Sequence, residues 1–338
     1  MKEIKVAILG FGGIARAHKK GYDLLRAEGF PVRLVALCDI DEQQFYKKST
    51  TNLGTELQSD LDGFHLYTND DEMLQKEEFD TVDICLPTYL HKDYAIKMMR
   101  AGKHVQSEKP MALSVDDCEE MIRVSKETGK KLMIGQCLRF DSAYLYLKKC
   151  IDEKCFGSLR RLVMDRLSAL PRWGFEGWFH DVKRSGGVPL DLHIHDIDMA
   201  RFLLGEPTAV SSVATDAAMP MQYMDTRLFY GDTSVFAHAS WDEAATAKFS
   251  ASYRARFETA TVICQGSEIW VYPDDGEAYQ VELVKLNHMA EEIRTMAYLV
   301  GDPTFENKVN TPESACQSVK LVHTLMESAK NNGQVIQL

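Results

Sequence analysis

Residues 5–15 read KVAILGFGGIA and decide the fold of the first part of the chain. A short apolar run of the β type leads into Gly10-Phe11-Gly12-Gly13-Ile14-Ala15, which fits G-x-G-x-x-G/A where a strand passes into a helix. Gly10 permits a tight turn, Gly12 lets the backbone approach a pyrophosphate, and Ala15 keeps the helix close to the sheet. Phosphates would meet N–H groups at the positive end of the helix dipole. The stretch predicts a dinucleotide site.

The end of the next β-like run indicates which dinucleotide is bound. This run closes on Cys38-Asp39, where a carboxylate can accept hydrogen bonds from ribose hydroxyls. A 2′-phosphate would bring negative charge next to Asp39 and Asp41, and residues 40–43 contain no arginine to receive it. The sequence therefore predicts NAD(H) rather than NADP(H) as the cofactor.

The first 137 residues alternate short β-like runs with amphipathic stretches. The runs span 5–10, 32–39, 64–68, 82–87, 104–108 and 131–137, and helices are predicted at about 13–28, 41–53, 89–101 and 114–128. Ser114 fits a helix cap with Asp117 in the first turn, and Gly102 and Gly129 fall just past helix ends. Strands that alternate with helices predict an α/β Rossmann domain, a doubly wound parallel sheet, over residues 1–137.

The pattern of helices and strand-like runs changes after residue 138. A helix (139–153), a strand-like run (159–170), a loop rich in Trp and Gly (171–188) and a helix (189–204) precede several long alternating runs. Helices at 289–301 and 312–331 close the chain. Long alternating strands with short turns predict a second, α+β domain over residues 138–338, built on a large open and mostly antiparallel sheet with one solvated face.

Two further segments point to a family. Residues 85–91 read CLPTYLH and are followed by GKHVQSEKP at 102–110, while residues 186–198 read GGVPLDLHIHDID. Together with the N-terminal fingerprint, these segments closely resemble the Gfo/Idh/MocA oxidoreductase family over essentially the whole chain. Members include inositol and other sugar or polyol dehydrogenases, which pair a Rossmann domain with a C-terminal α/β domain on an open sheet.

The resemblance implies that Lys109, Asp191 and His195 form the catalytic set. Lys109 follows directly on the fifth β-like run, at the sheet edge where ligands bind, and its ammonium can stabilise alkoxide-like charge. Asp191 and His195 are four residues apart and would share one helix face. His195 can exchange a hydroxyl proton at neutral pH, and Asp191 could orient its ring or contact substrate itself.

The motif and the resemblance also imply contacts to the cofactor and the substrate. The cofactor set is Gly10, Phe11, Gly12, Gly13, Ile14, Asp39, Ile40, Leu86, Pro87, His91, Glu108 and Lys109. Arg139, Trp173, Trp178 and His180 are candidate substrate contacts, with Arg139 suited to a carboxylated substrate. For His91, core capping is an equally good account. For the aromatic residues, core packing is at least as good an account as substrate binding.

A metal site is the rival interpretation of Asp191, His193 and His195, because their alternation on a strand would put all three side chains on one face. The apolar positions around them instead step by three and four, which is typical of a helix. A helix turns His193 roughly 160° away from His195. The sequence therefore predicts no metal.

Composition limits the remaining classes. The 338 residues carry a net charge of −11, which argues against nucleic acid and anionic membrane surfaces as partners. No window approaches the apolar length of a membrane span, and the N-terminus lacks the pattern of a secretory signal. Eight scattered cysteines without a C-x-x-C pair indicate buried thiols in a reducing compartment. We expect a cytoplasmic protein.

The leading hypothesis is an NAD-dependent dehydrogenase that reversibly oxidises a secondary alcohol of a sugar, polyol or cyclitol. The alternatives are a sugar–sugar oxidoreductase with tightly bound cofactor and a non-catalytic NAD or sugar sensor of the same fold. The resemblance also suggests a homodimer or homotetramer formed through the C-terminal sheet.

Overall fold

The computed structural model describes residues 1–47, 60–284 and 286–338. The chain forms two compact units. The first comprises Met1–Cys137, Trp173–Trp178 and Asn287–Gln317, and the second comprises Leu138–Arg172, Phe179–Leu286 and Ser318–Leu338. The domain division at residues 137 and 138 stays a prediction.

The regular elements alternate in the first part of the chain and become strand-rich in the second. The strands are β1 (Ile4–Leu9), β2 (Val32–Cys38), β3 (His65–Tyr67), β4 (Thr81–Ile84), β5 (His104–Glu108), β6 (Leu132–Gly135), β7 (Leu159–Leu167), β8 (Ala209–Thr215), β9 (Tyr223–Tyr230), β10 (Thr233–Ser240), β11 (Ser250–Phe257), β12 (Ala260–Gln265), β13 (Glu268–Pro273), β14 (Tyr279–Gln280) and β15 (Ile336–Gln337). The α-helices are α1 (Gly13–Ala27), α2 (Asp70–Lys76), α3 (His91–Arg100), α4 (Val115–Thr128), α5 (Ser142–Asp152), α6 (Val182–Ser185), α7 (Ile194–Leu204), α8 (His288–Gly301) and α9 (Pro312–Lys330).

The first sheet has the order β3-β2-β1-β4-β5-β6, and all its neighbouring strands are parallel. This is the doubly wound arrangement, so the predicted Rossmann sheet is confirmed. Gly10, Asp39 and Lys109 each follow the last residue of a strand, namely β1, β2 and β5. Because the carboxyl ends of parallel strands share one edge of the sheet, the topology brings these three positions to the same edge.

Helices α1 and α8 cover the sheet of the first unit. Ile8, Leu25 and Leu37 are fully buried in its core, and Ile293 of α8 joins the same cluster. A Cβ at Gly21 would lie 2.9 Å from Ile293 Cδ1 and 3.1 Å from the Ala290 nitrogen. Only a residue without a side chain allows α1 and α8 to approach this closely.

Within the described residues, the second sheet has nine strands in the order β14-β13-β12-β11-β7-β10-β9-β8-β15. The β7–β10 pair is parallel and the other pairs are antiparallel. Along β13, Ile269 and Val271 are buried while Trp270 and Tyr272 are exposed. The predicted open, mostly antiparallel sheet with one solvated face is confirmed.

Local differences from the sequence predictions have physical causes. At 41–53 the described part is a 3₁₀ turn (Glu42–Phe45), which Asp41 caps by accepting the Gln43 N–H, and residues 48–53 lie outside the described residues. Helix α2 was not predicted, since its sequence, DDEMLQK, has a single buried residue, Met73. Its cap is Asn69, whose side chain accepts the Glu72 N–H.

The expected cap of α4 is confirmed, because Ser114 Oγ accepts the Asp117 N–H at 3.1 Å. Gly129 closes that helix in the left-handed conformation. None of the helices that the structure describes combines the length and apolar character needed to cross a membrane. All eight cysteines lie in the described part, and no disulfide joins any of them.

Candidate functional site

Two glycines of the loop after β1 have different surroundings. Gly10 has φ +86°, and a Cβ there would lie 2.7 Å from the carbonyl oxygen of Cys85, so this position requires glycine. At Gly12, in contrast, a Cβ would meet no atom of the described residues within 4 Å. Gly12 is the N-cap of α1, and among the described residues no side chain caps that end. The first turn of α1 therefore presents backbone N–H groups towards open space.

Asp39 ties the end of β2 to this loop. Its Oδ2 accepts the Phe11 N–H at 2.7 Å, and its Oδ1 accepts the Asp41 N–H at 2.9 Å. Burial raises the pKa of Asp39, while the hydrogen bonds from Phe11 and Asp41 act in the opposite direction. Each carboxylate oxygen has a further lone pair, so the fixed group can still accept from a ribose hydroxyl. The neighbouring Ile40 is 71% exposed.

A turn after β5 carries Lys109. The Glu108 Oε2 atom accepts the Lys109 backbone N–H at 3.1 Å, and the Lys109–Pro110 peptide is cis. Buried His91 contacts the Pro110 carbonyl oxygen through Nδ1 and the Leu86 carbonyl oxygen through Nε2, both at 2.8 Å. Burial lowers the pKa of His91, against the effect of these two contacts. His91 thus joins two turns at the sheet edge, and its contact to a cofactor stays a prediction.

Asp191 and His195 lie on a helical segment whose other residues, from 187 to 200, are buried. A π-helix, Val188–His193, continues directly into α7, where the sequence predicted one helix over 189–204. From residue 187 to residue 200, every position is buried except Asp191 and His195. This pattern supports the shared face expected from their spacing, although the first turn is wider than an α-helix.

His193 is turned away from both. It is fully buried, and its Nε2 lies 2.8 Å from Thr226 Oγ1. Burial, with help from the charges of His238 and Arg166, lowers the pKa of His193 to about 3. A neutral, core-facing imidazole fits the helical interpretation of this segment.

The four candidate substrate contacts have different surroundings. Arg139 is buried and forms a two-point ion pair with Asp198, at 2.8 Å from Nε and 2.6 Å from Nη2. A substrate carboxylate would have to displace Asp198 from that guanidinium. His180 Nε2 donates to the Pro171 carbonyl oxygen at 2.6 Å. Trp173 and Trp178 are partly exposed. The substrate roles of these four residues stay predictions.

The comparisons with known proteins now assign the chain to a family. A model described as the oxidoreductase family, NAD-binding Rossmann fold, matches residues 4–136, and the GFO/IDH/MocA C-terminal domain matches residues 144–278. The chain belongs to the GFO/IDH/MocA oxidoreductase family. The first model covers the part of the chain that forms the parallel sheet, and the second covers most of the part that forms the antiparallel sheet.

Within the GFO/IDH/MocA family, the relatives include inositol dehydrogenases. The chain is 31% identical to the inositol 2-dehydrogenase of Rhizobium meliloti over 64% of its own length and 61% of that enzyme, so it spans less than two thirds of this relative. It is 28% identical to the scyllo-inositol 2-dehydrogenase (NAD(+)) of Bacillus subtilis, over 86% of each chain. The structure of an aldose-aldose oxidoreductase from Caulobacter crescentus, complexed with glycerol, shares the fold with a TM-score of 0.80, 22% identity and full coverage of both chains.

The residues of the first unit fit the dinucleotide of this NAD-binding family. The empty volume around Gly12 and the uncapped start of α1 can take a pyrophosphate, and Asp39 stands at the end of the next strand for a ribose. Ile14, in the first turn of α1, is 38% exposed and borders the same helix end. These residues thus match NAD(H), the cofactor of this NAD-binding family.

Sequence reasoning missed a group of buried polar side chains behind Lys109. His18 lies 2.8 Å from both Asp83 and Glu108, and Tyr22 donates to Asp83 at 2.9 Å. Glu292 of α8 is also fully buried. The one signal was Asp83 itself, since a carboxylate inside the apolar run VDIC needs a buried partner.

Proposed function

We propose that the protein is an NAD-dependent dehydrogenase that reversibly transfers hydride between the nicotinamide and a secondary alcohol of a sugar, polyol or cyclitol. Two observations support the proposal: Gly12, Asp39 and Lys109 follow strands at one edge of the parallel sheet, and Asp191 and His195 are the partly exposed positions of the otherwise buried stretch 187–200. Bound NAD supplies the hydride acceptor and donor.

The chain's own residues would manage the oxygen and the proton of the alcohol. We assign to Lys109 a hydrogen bond from its ammonium to the reacting oxygen, which stabilises alkoxide-like charge. His195 would take up the hydroxyl proton in the oxidising direction and return it in the reverse one. Asp191 would orient the His195 ring or bind a substrate hydroxyl. We therefore expect a small hydroxylated molecule as the substrate.

The surroundings of Asp39 support a preference for NAD over NADP. Asp39 and Asp41 would both repel a 2′-phosphate. Two nearby cations among the described residues already have partners: Lys47 is 2.8 Å from Asp41 Oδ2, and Arg16, whose charge acts on Asp39, donates to the carbonyl oxygens of Phe11, Gln44 and Lys47. We expect kcat/KM to be higher with NAD than with NADP.

A substrate panel tests the proposal. NADH formation is measured with inositols, aldoses and linear polyols for wild type, Lys109→Ala and His195→Ala. Lys126→Ala is the matched control, because this lysine is 69% exposed and pairs with Glu313 on the surface. We expect turnover of at least one cyclic polyol or sugar by wild type and the control, and loss in the other two variants. NAD and sugar binding without any turnover would instead indicate a sensor.

A second outcome of the same experiment bears on how the cofactor is used. Reduced cofactor that co-purifies with the protein and is reoxidised by a second sugar would indicate transfer between two sugars. Free NADH that accumulates in solution supports the dehydrogenase.

The exposed face of the second sheet supports assembly into a homodimer or homotetramer. Trp270 and Tyr272, whose rings lie 6.5 Å apart on β13, are 37% and 44% exposed, and a second copy of the chain would cover this apolar pair. We also place the protein in the cytoplasm, where its cysteines would stay reduced.

A further inference from the structure

We propose that His18 is a positioning residue for Lys109, acting through the Glu108 carboxylate. The inference rests on the proposed role of Lys109 and adds a residue outside the predicted site. The connection runs from α1, whose N-terminus forms the cofactor loop, to the turn after β5.

Three hydrogen bonds make the connection. His18 Nδ1 lies 2.8 Å from Asp83 Oδ2 on β4, and its Nε2 lies 2.8 Å from Glu108 Oε1 at the end of β5. The other Glu108 oxygen, Oε2, accepts the Lys109 N–H at 3.1 Å. One imidazole thus fixes a carboxylate, and the carboxylate fixes the backbone from which the Lys109 side chain departs.

His18 and the two carboxylates that it contacts are almost completely buried. His18 is 1% exposed, Asp83 is 0% and Glu108 is 6%. At such burial a bridge from one ring to two carboxylates fixes the ring orientation, since each broken contact would leave an unsolvated charge.

Ionisable groups on the elements packed against His18 influence its pKa and one another's. Burial disfavours its charged form, but the charge and the hydrogen bond of Asp83 outweigh this effect and hold the pKa of His18 well above its usual value. Burial also raises the pKa of Glu108, but the hydrogen bond and charge of His18 outweigh it and lower that pKa overall. Burial, with the charge of Glu108, raises the pKa of Glu292 well above its usual value. Each ring nitrogen of His18 faces a carboxylate oxygen, and an imidazolium, which donates from both nitrogens, satisfies this arrangement.

A bound metal ion is the other use that such a cluster could have. Within the described residues, ligand atoms of His18, Asp83 and Cys85 lie within 4.8 Å of one another. Both nitrogens of His18, however, already stand at hydrogen-bond distance from carboxylate oxygens, and Tyr22 donates to the same Asp83 oxygen. An ion would have to replace this set, so the hydrogen-bonded interpretation is the one we test.

Two isosteric substitutions separate positioning from packing. The amide nitrogen of asparagine stands near Nδ1 of histidine and that of glutamine near Nε2, so His18→Asn keeps the Asp83 contact and His18→Gln keeps the Glu108 contact. We expect kcat to fall about tenfold to a hundredfold in His18→Asn, with the NADH dissociation constant unchanged, and to stay near wild type in His18→Gln. Tyr22→Phe, which loosens only the Asp83 end, is the control and should resemble wild type.

Amide hydrogen exchange at Lys109 provides a readout that needs no substrate. His18→Asn should speed exchange of this amide, because its acceptor is no longer held, and His18→Gln should not. Equal exchange and equal kcat in the two variants would overturn the proposal. If wild type turns over no substrate, the proposed function fails, yet the exchange comparison still decides the role of His18. Should His18→Asn not fold, Glu108→Leu, which removes the acceptor of the Lys109 N–H, tests the same link, with faster Lys109 exchange expected.

Discussion

Among the described residues, a methyl group at Gly12 would meet no atom within 4 Å, and the backbone there has φ −78°, which any residue adopts. We therefore expect Gly12→Ala to change the free energy of unfolding by less than about 1 kcal/mol, because the stiffer unfolded chain offsets the poorer N-cap. The NADH dissociation constant should rise about tenfold or more, since the methyl occupies the space that the pyrophosphate needs. Fluorescence titration with NADH and urea denaturation measure the two quantities.

Gly10→Ala is the matched contrast. Its φ of +86° and a clash at 2.7 Å with the Cys85 carbonyl oxygen predict lost stability as well as lost binding. An NADH affinity unaffected by Gly12→Ala would show that the cofactor does not approach this glycine.

His193 gives a pH dependence with a definite sign. Its pKa falls from 6.5 to about 3 on folding, so the unfolded chain binds a proton in that interval and the folded chain does not. Stability contributed by the neutral ring is present above pH 6.5 and is lost as the pH falls, by about 1.4 kcal/mol per pH unit. His193→Gln keeps a donor for Thr226 and should remove this slope.

Urea denaturation of wild type and His193→Gln between pH 7 and about pH 5 measures the difference. The two curves should diverge most at neutral pH and converge on acidification. Parallel curves would mean that His193 titrates normally in the folded protein.

At the scale of elements, α7 is held by a buried ion pair that the sequence did not reveal. Asp198 pairs with Arg139 and also accepts from Ser318 Oγ at 2.5 Å. We expect Asp198→Asn to cost about 3 kcal/mol in the free energy of unfolding, because it leaves the Arg139 charge buried and uncompensated.

Asp152→Asn is the control for this change. Asp152 is 53% exposed and pairs with Lys148 one helical turn away, so its loss should cost less than about 0.5 kcal/mol. Equal effects of the two substitutions in urea denaturation would contradict a structural role for Asp198.

Patterns of local sequence were sufficient for most elements and insufficient for the polar interior. The run KVAILG indicates β1 and the 3–4 spacing around Ile194 indicates α7, because each element buries one regular face. The pairing of Arg139 with Asp198, or of His18 with Glu108, joins residues 59 and 90 positions apart. No local period encodes such a pair. The π-helical turn at Val188–His193 was likewise hidden, since its side-chain spacing differs little from that of an α-helix.

At the scale of the whole molecule, the exposed face of the second sheet leads us to expect self-association. Trp270→Glu would place a charge in the apolar part of the exposed face, and we expect light scattering after size-exclusion chromatography to show a smaller species than wild type. Leu24→Glu, on α1, is a control of equal exposure, 37% for each side chain. A wild type that is monomeric at all concentrations would remove the prediction.

The central claim is that hydride passes between substrate and NAD on this protein. The most direct measurement uses a substrate from the panel that carries deuterium on its carbinol carbon, with NAD analysed by mass spectrometry after turnover. We predict one deuterium in the reduced cofactor with wild type and a rate lower by about a hundredfold or more with Lys109→Met. Substrate consumption that leaves the cofactor without deuterium, or equal transfer by Lys109→Met, would contradict the account.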